Sequence, residues 1–400
     1  MDGKEKRGVQ IAATRKIERA GDLYAVPALK GNPIFQVGLE KEPPQCTCPE
    51  NRLHSVICEH IYAAKIFRGR EEQPSQGTAP QKKRKPYHQD WPTYNEAQIF
   101  EKDRFQSLLA EICKGIELDE TKRVGRPRLN LRDMIFNVVF KVYTTTSSRV
   151  FMSDLREAKK RGHIAQVPHH NSISLYLQNP KLTPILQALI VRSARPLRSV
   201  EVDFAIDSSG FSISRYGCWF DFKRGKEIIK REYIKCHLIC GVKTHIVVSV
   251  EIGSSGDAVY LPGLLETAAG VFEIHELSGD KGYISRANVD AIVQAGATPF
   301  IMFKVDSSGG GSDSWKKMFH LFQYHEEEFL AHYHKRSNVE STFNMVKSKF
   351  RSSLRSRSDT SLINETLCKI LCHNLVVLNH EMLELKIDPT DWGSVDGRQS

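Results

Sequence analysis

The chain has 400 residues, enough for two or three domains with a sizeable core. Hydrophobic residues make up 40% and charged residues 26%, ordinary values for a soluble protein, and no run of 18 apolar residues suggests a membrane span. A net charge of +10 favours a polyanionic partner.

The N-terminal MDGKEKRG carries charge without an apolar stretch, so no signal peptide is expected. Residues 1–70 read as a small unit in which DLYAVPAL and PIFQVGL are strand candidates and IYAAKIF a short helix. Between them lie Cys46, Cys48, Cys58 and His60 in the pattern C-x-C-x9-C-x-H. Three thiolates and an imidazole in this arrangement suit a closed tetrahedral site for structural Zn2+. His54 lies between the two pairs and competes with His60. Nine cysteines in a long chain fit a reduced cytosolic compartment better than a disulfide framework. Those at 113, 218, 236, 240, 368 and 372 read as small core residues.

Residues 71–95 read as a linker rich in Pro and Gln, with a KKRK run at 82–85. A helical region follows over 96–198, with apolar spacing in EAQIFEKDRFQSLLAEICKGI, LRDMIFNVVFKVYTTT, NSISLYLQ and LTPILQALIVRSA. It is compatible with a helix-turn-helix DNA-binding region and with any other small helical domain. Gly125-Arg126-Pro127-Arg128 has the core of an AT-hook, in which Arg126 and Arg128 would enter a narrow minor groove. The same string suits the start of a helix.

From residue 199 to 385 the pattern turns to strands and then alternates. SVEVDFAID, FSISRY, YIKCHLICGV and HIVVSVEI are strand candidates, the last two forming a hairpin. LPGLLETAAGV and RANVDAIVQAG read as helices, HELSGD as a strand ending in a turn, and TPFIMFKV as a strand. Ser307–Ser312 reads as a flexible loop, and residues 386–400 as a loose tail. The segment YHKRSNVESTFNMVK is the most informative. On a helix, Tyr333, Arg336, Glu340 and Lys347 fall within roughly 60° of one another. Val339, Phe343, Val346 and Phe350 form a core-facing stripe beside them. Seven Lys or Arg and one acid, Glu340, lie between Lys335 and Arg357, a density that suits phosphate contacts.

The spacing Y-x2-R-x3-E-x6-K resembles the third catalytic segment of insertion-sequence DDE transposases. Gly279-Asp280-Lys281-Gly282-Tyr283 and Asp207 in A-I-D-S-S-G-F match the other two segments, and the resemblance covers about residues 130–380. Asp203, on the same strand face, is the competitor of Asp207. The cysteine cluster resembles a SWIM zinc finger over about residues 5–68. Together these imply an α/β, multidomain protein: a small β-β-α zinc finger, a helical DNA-binding region and an RNase H-like mixed-sheet catalytic domain. They imply Asp207, Asp280 and Glu340 as the catalytic carboxylates holding Mg2+ or Mn2+, with Tyr333, Arg336 and Lys347 supporting them or contacting DNA. The glycines of GDKGY would let the backbone approach DNA. The implied partner is double-stranded DNA, transposon ends and target, bound by a homo-oligomer in the cytoplasm at the nucleoid, with no membrane. The implied activity is metal-dependent cleavage and strand transfer at insertion-sequence ends. A non-catalytic DNA-binding regulator and an RNase H-like nuclease are the alternatives.

Overall fold

A computed structural model describes residues 3–29, 31, 33–72, 90–116, 129–213 and 233–392. The chain forms two compact units, residues 1–88 and 89–400.

The first unit opens with helix α1 (Gly3–Thr14), followed by strands β1 (Glu18–Ala20), β2 (Leu23–Pro27), β3 (Ile34–Gly38) and β4 (Gln45–Cys46). These pair antiparallel in the order β1-β2-β3-β4. Helices α2 (Pro49–His54) and α3 (Glu59–Glu72) complete it. Ile11, Tyr24, Val26, Val37 and Ile61 form the core together with the three cysteines. Gly8 lets α1 lie directly on α3, since a β-carbon there would come within 2.5 Å of Tyr62 Cβ. The strands and α3 fall where the apolar spacing puts them, whereas α1 replaces an expected charged terminus.

The second unit begins with helices α4 (Trp91–Ile99), α5 (Glu101–Lys114), α6 (Leu131–Thr144), α7 (Phe151–Lys160), α8 (His170–Leu177) and α9 (Leu182–Ala194). The sheet follows with β5 (Asp203–Ile213), β6 (Tyr233–Gly241) and β7 (Val247–Ile252), then helix α10 (Asp257–Ala269) and β8 (Glu276–Gly279). Helix α11 (Arg286–Gln294), strand β9 (Thr298–Ile301), and helices α12 (Asp313–Tyr324), α13 (Glu326–Tyr333) and α14 (Ser337–Phe350) come next. Strand β10 (Ser353–Leu354) and helix α15 (Asp359–Glu384) end the fold.

The strand order is β7-β6-β5-β8-β9, with β10 added beside β5. The β5-β6-β7 run is antiparallel, and β8, β9 and β10 pair parallel. This is the RNase H-like mixed sheet, covered by helices on both faces. Along β5 the side chains alternate. Phe204 meets Phe272, just after α10, edge-on at 5.4 Å. Asp207, Ser209 and Phe211 turn the other way, toward α14.

Three differences from the sequence reading concern this unit. First, β5 is one strand of eleven residues running through Asp207-Ser-Ser-Gly210, where a turn and a second strand were expected. Nine consecutive registered pairs with β6 hold it extended. Second, the helical region does not stand apart from the sheet. Its apolar residues and those of the strands form one core cluster, and α15 stitches them through buried asparagines. Asn374 bonds Val247 O (2.7 Å) on β7 and Ile190 O (3.3 Å) on α9, Asn364 bonds Leu177 O (2.9 Å), and Asn379 bonds Ala97 O (2.9 Å). Third, the loop at 307–312 and the start of the tail are tied down. Ser312 caps α12 and bonds Asp290, Trp315 Nε1 donates to Ser308 O, and Trp392 is buried with its carbonyl bonded by Arg195. Helix α15 is apolar and long enough to cross a membrane, but its most apolar window is 94% buried within the fold.

Candidate functional site

Two groups of side chains carry chemistry, one in each unit. In the first unit the Cys46, Cys48 and Cys58 sulfurs and a His60 ring nitrogen all lie within 4.8 Å of one another. Cys46 ends β4, Cys48 caps α2, and Cys58 and His60 flank the start of α3. The Cys48 amide donates to Cys46 Sγ and the Asn51 amide to Cys48 Sγ, both at 3.4 Å, which favours thiolates. Asn51 also accepts from the Cys46 amide at 2.7 Å, fixing the knuckle. The Cys58 thiol is pulled down to about 3 by its hydrogen bond with Cys46, whose own thiol is raised. Both ring nitrogens of His60 are buried without a hydrogen-bond partner. A tetrahedral Zn2+ would satisfy that orphaned imidazole and the crowded sulfurs. His54 is exposed and outside the cluster, so His60 is the fourth ligand.

In the second unit, β5 and β8 run parallel with Ile206 opposite Gly279. The next residues, Asp207 and Asp280, therefore lie side by side at the end of the strand pair. Asp280 leads into a 3-10 turn, Lys281–Tyr283. The protein's own packing favours glycine at 279 and 282: added β-carbons would come within 2.7 Å of Ile206 Cγ2 and 2.9 Å of Asp257 Oδ2.

Glu340 reaches the pair from a helix that is not continuous. α13 ends at Tyr333, residues 334–336 form a 3-10 turn, and α14 starts at Ser337. The single helical stripe from Tyr333 to Lys347 is thus broken, although Val339, Phe343, Val346 and Phe350 are all buried as their spacing requires. Arg336 joins the parts. Its Nη1 is 3.1 Å from Asp207 Oδ2 and 2.8 Å from Glu340 Oε1, and its guanidinium lies 5.8 Å from the Tyr333 ring centre. Burial raises the pKa of Asp207, and the nearby charges of Asp280 and Glu340 add to it; the Ser208 amide and Arg336 oppose the rise. Burial works against the charge of Arg336, but Tyr333, Glu340 and Asp207 outweigh it.

Asp203, the competitor of Asp207, is engaged elsewhere. Lys335 Nζ bonds Asp203 and Glu276, each at 2.7 Å, at the opposite end of the β5-β8 pair. Lys347 is half-buried; its ammonium bonds Ser209 Oγ at 2.5 Å and lies 5.4 Å from the Phe211 ring centre. Burial lowers its pKa. Arg126, Arg128 and the 82–85 run lie outside the described residues.

The sequence reading did not find the support behind Asp280. Tyr283 is fully buried and its hydroxyl is 3.0 Å from His237 Nδ1, while His237 Nε2 is 3.2 Å from Gly253 O. A carbonyl only accepts, so Nε2 carries the proton and Nδ1 accepts from Tyr283. Burial lowers the pKa of His237, keeping it neutral. The K-C-H string at 235–237 was its only trace in the sequence.

Residues 198–375 match the family described as a transposase DDE domain, and residues 35–69 match the SWIM zinc finger. No curated protein is similar enough to the chain to count as a match. The first match spans the mixed sheet with Asp207, Asp280 and Glu340, and the second spans the four-ligand cluster. The chain therefore carries a transposase DDE domain behind a SWIM zinc finger.

Proposed function

We propose that the protein is a DNA transposase that cuts and joins DNA at the ends of its insertion sequence, with Asp207, Asp280 and Glu340 as its catalytic carboxylates. The observation that carries this reading is the junction at Arg336. Asp207, within β5, lies beside Asp280, which follows the parallel strand β8, and one guanidinium bridges Asp207 to the helix-borne Glu340. Arg336 touches two of the three carboxylates; burial is the main cause that raises the pKa of Asp207, and the charges of Asp280 and Glu340 add to it. Oxygen ligands of this kind suit Mg2+ or Mn2+. Divalent cations held there would activate the attacking oxygen and stabilise the leaving one in an in-line displacement at phosphorus. Arg336 orients Asp207 and Glu340 and can pass to a phosphate when they are occupied. Lys347 holds Ser209, two residues beyond Asp207, and presents charge toward the bound strand. Tyr333 sets the position of Arg336 through their contact.

The finger would add DNA or protein contacts, and end recognition would fall to the helices within 96–198. That recognition has to be tested on the whole chain, because these helices share their core with the sheet.

The test is cleavage of duplex bearing the element's ends, with Mg2+ and with EDTA. Asp207→Asn, Asp280→Asn and Glu340→Gln should each abolish cleavage and leave DNA binding intact. Asp203→Asn should keep substantial activity. If Glu340→Gln cuts normally, or EDTA has no effect on cutting, the metal-carboxylate assignment fails; if the wild-type protein binds the ends but cuts nothing, a DNA-binding regulator becomes the better account.

A further inference from the structure

A cavity of about 420 Å3 lies where α6, α8, β10 and the start of α15 meet. It falls in the size range of small-ligand sites. Its walls carry Lys141, Lys369, Arg351, Arg355 and Arg357 against one acid, Glu365. Serine and threonine side chains fill much of the remaining lining, and hydroxyls with guanidinium groups are what a phosphate oxygen seeks.

The arginines are held in place by their backbone. Both Glu365 oxygens accept from the Arg355 amide at 3.0 Å, and one also accepts from the Ser356 amide at 2.8 Å. Lys369, one helical turn on, donates to Arg351 O and Ser353 O at 2.9 Å each. Glu365 and Lys369 are buried, at 7% and 2% exposure, so the loop 351–356 is anchored from below. Arg351 is fixed in a left-handed conformation, φ +70, which a non-glycine residue adopts at a cost. The side chains of Arg351, Arg355 and Arg357 are exposed, and among the described residues none has a carboxylate within ion-pair reach. Burial pulls Lys141 down to about 8, and Arg355 adds to this; Lys369 is likewise pulled down to about 8 by burial.

The cavity is also aligned with the carboxylates. β10 pairs with the end of β5, Ser353 opposite Ser212. Five residues of strand separate Ser212 from Asp207, about 17 Å at ~3.3 Å per residue. Lys347 lies between them, on Ser209 and Phe211.

We propose that this cavity is a phosphate-binding site for the backbone of a DNA strand that lies along β5 and passes through the carboxylate cluster. The proposal rests on the reading of the chain as a DNA-cutting protein. At a rise of ~3.4 Å per nucleotide, the held phosphates are about five nucleotides from the one being cut.

The experiment uses the full-length protein in EDTA, so that no strand is cut, and reads binding of fluorescent duplex by anisotropy over a salt series. Replacing Arg351, Arg355 and Arg357 together by Gln should weaken binding at least ~10-fold and reduce the salt slope by about 2–3, since each phosphate contact contributes roughly one unit. A photo-crosslinking residue at the exposed rim position Ser147 should capture DNA. A triple variant that folds normally by circular dichroism and binds DNA with unchanged affinity and slope overturns the proposal. So does a Ser147 probe that captures no DNA. In a parallel arm, saturating inorganic phosphate or a mononucleotide should compete only weakly. If either fills the cavity at low concentration while DNA does not crosslink, the site serves a free phosphate compound and the DNA assignment fails. Asp280→Asn serves as the separating control. If wild-type protein cuts no DNA but the arginine variant still loses binding, the cutting function fails and the cavity assignment stands.

Discussion

Arg336→Met removes the cation that stands between Asp207 and Glu340. Its two ion pairs, at 3.1 and 2.8 Å, are not equivalent. The Asp207 side chain is 19% exposed, so its charge-assisted hydrogen bond falls in the range of about 1.5–3 kcal/mol. Glu340 is 54% exposed, and solvent screening leaves its share below about 1 kcal/mol. Asp207 can escape part of the loss by taking up a proton, because burial and its two acidic neighbours already raise its pKa. A net loss of about 2 kcal/mol in the metal-free protein is expected, equivalent to a fall of roughly 4 °C or less in melting temperature for a unit this large.

A ligand at ~100 times its dissociation constant stabilises by about 2.7 kcal/mol. A divalent cation among the carboxylates replaces the missing charge, so the deficit of the variant should shrink in Mg2+ and reappear in EDTA. The pH dependence has a defined sign. Asp207 binds its proton more tightly in the folded protein than in the unfolded chain. Its contribution therefore favours folding at low pH and is lost as pH rises through its folded pKa. Without Arg336 that pKa moves further up, so the deficit should be small in acid and largest above the raised pKa. Differential scanning fluorimetry of both proteins, with Mg2+ or EDTA from acid to neutral pH, measures all of this. A deficit of the same size in every condition would refute the idea that Arg336 compensates carboxylate charge.

The remaining expectations follow from single contacts. Cys46→Ser with Cys58→Ser should abolish the bound zinc, about one per chain in the wild type by metal analysis, and unfold residues 1–88 while the melting of residues 89–400 persists. Gly279→Ala, whose β-carbon would meet Ile206 Cγ2 at 2.7 Å, should cost about 1–3 kcal/mol in denaturant titration and lower cleavage by displacing Asp280. Tyr283→Phe deletes the hydroxyl that His237 accepts and should cost about 1 kcal/mol, with cleavage reduced but not lost; unchanged stability would contradict the hydrogen bond.

What the sequence disclosed and what it withheld differ by the range of the interaction. Features set by neighbours in the chain were legible: the apolar runs of β6 and β7, the stripe at Val339, Phe343, Val346 and Phe350, and the C-x-C and C-x-H pairs. Each is a local period or spacing that backbone geometry turns into one face or one ligand set. The 3-10 turn at His334–Arg336 was not legible, because its residues are compatible with a continuous helix and the contacts they make are tertiary. Lys335 turns to Asp203 and Glu276 while Arg336 turns to Asp207 and Glu340. Two adjacent cations serving opposite ends of one strand pair are hard to accommodate on a regular helix. The asparagines of α15 are a second case. Nothing local in the sequence marks Asn364, Asn374 and Asn379 as core residues, yet each is buried and bonds a backbone carbonyl more than one hundred residues away.

The same distinction applies to the glycines of G-D-K-G-Y. A glycine signals that something comes close, but not what does. At Gly279 it is Ile206 on the adjacent strand, and at Gly282 it is Asp257 at the start of α10. Close approach at both positions brings Asp280 to the level of Asp207. The buried Tyr283 then locks the turn through His237, whose far nitrogen is bound by Gly253 O. The motif is therefore an alignment device for Asp280. Its small residues set the spacing of two carboxylates across a strand pair and its tyrosine fixes the turn, which leaves Asp280 and the exposed Lys281. Arg336 performs the corresponding task from the helix side. Asp207 and Glu340 are not held together by the sheet, so one side chain that contacts both has to supply the alignment that β-pairing supplies for Asp207 and Asp280.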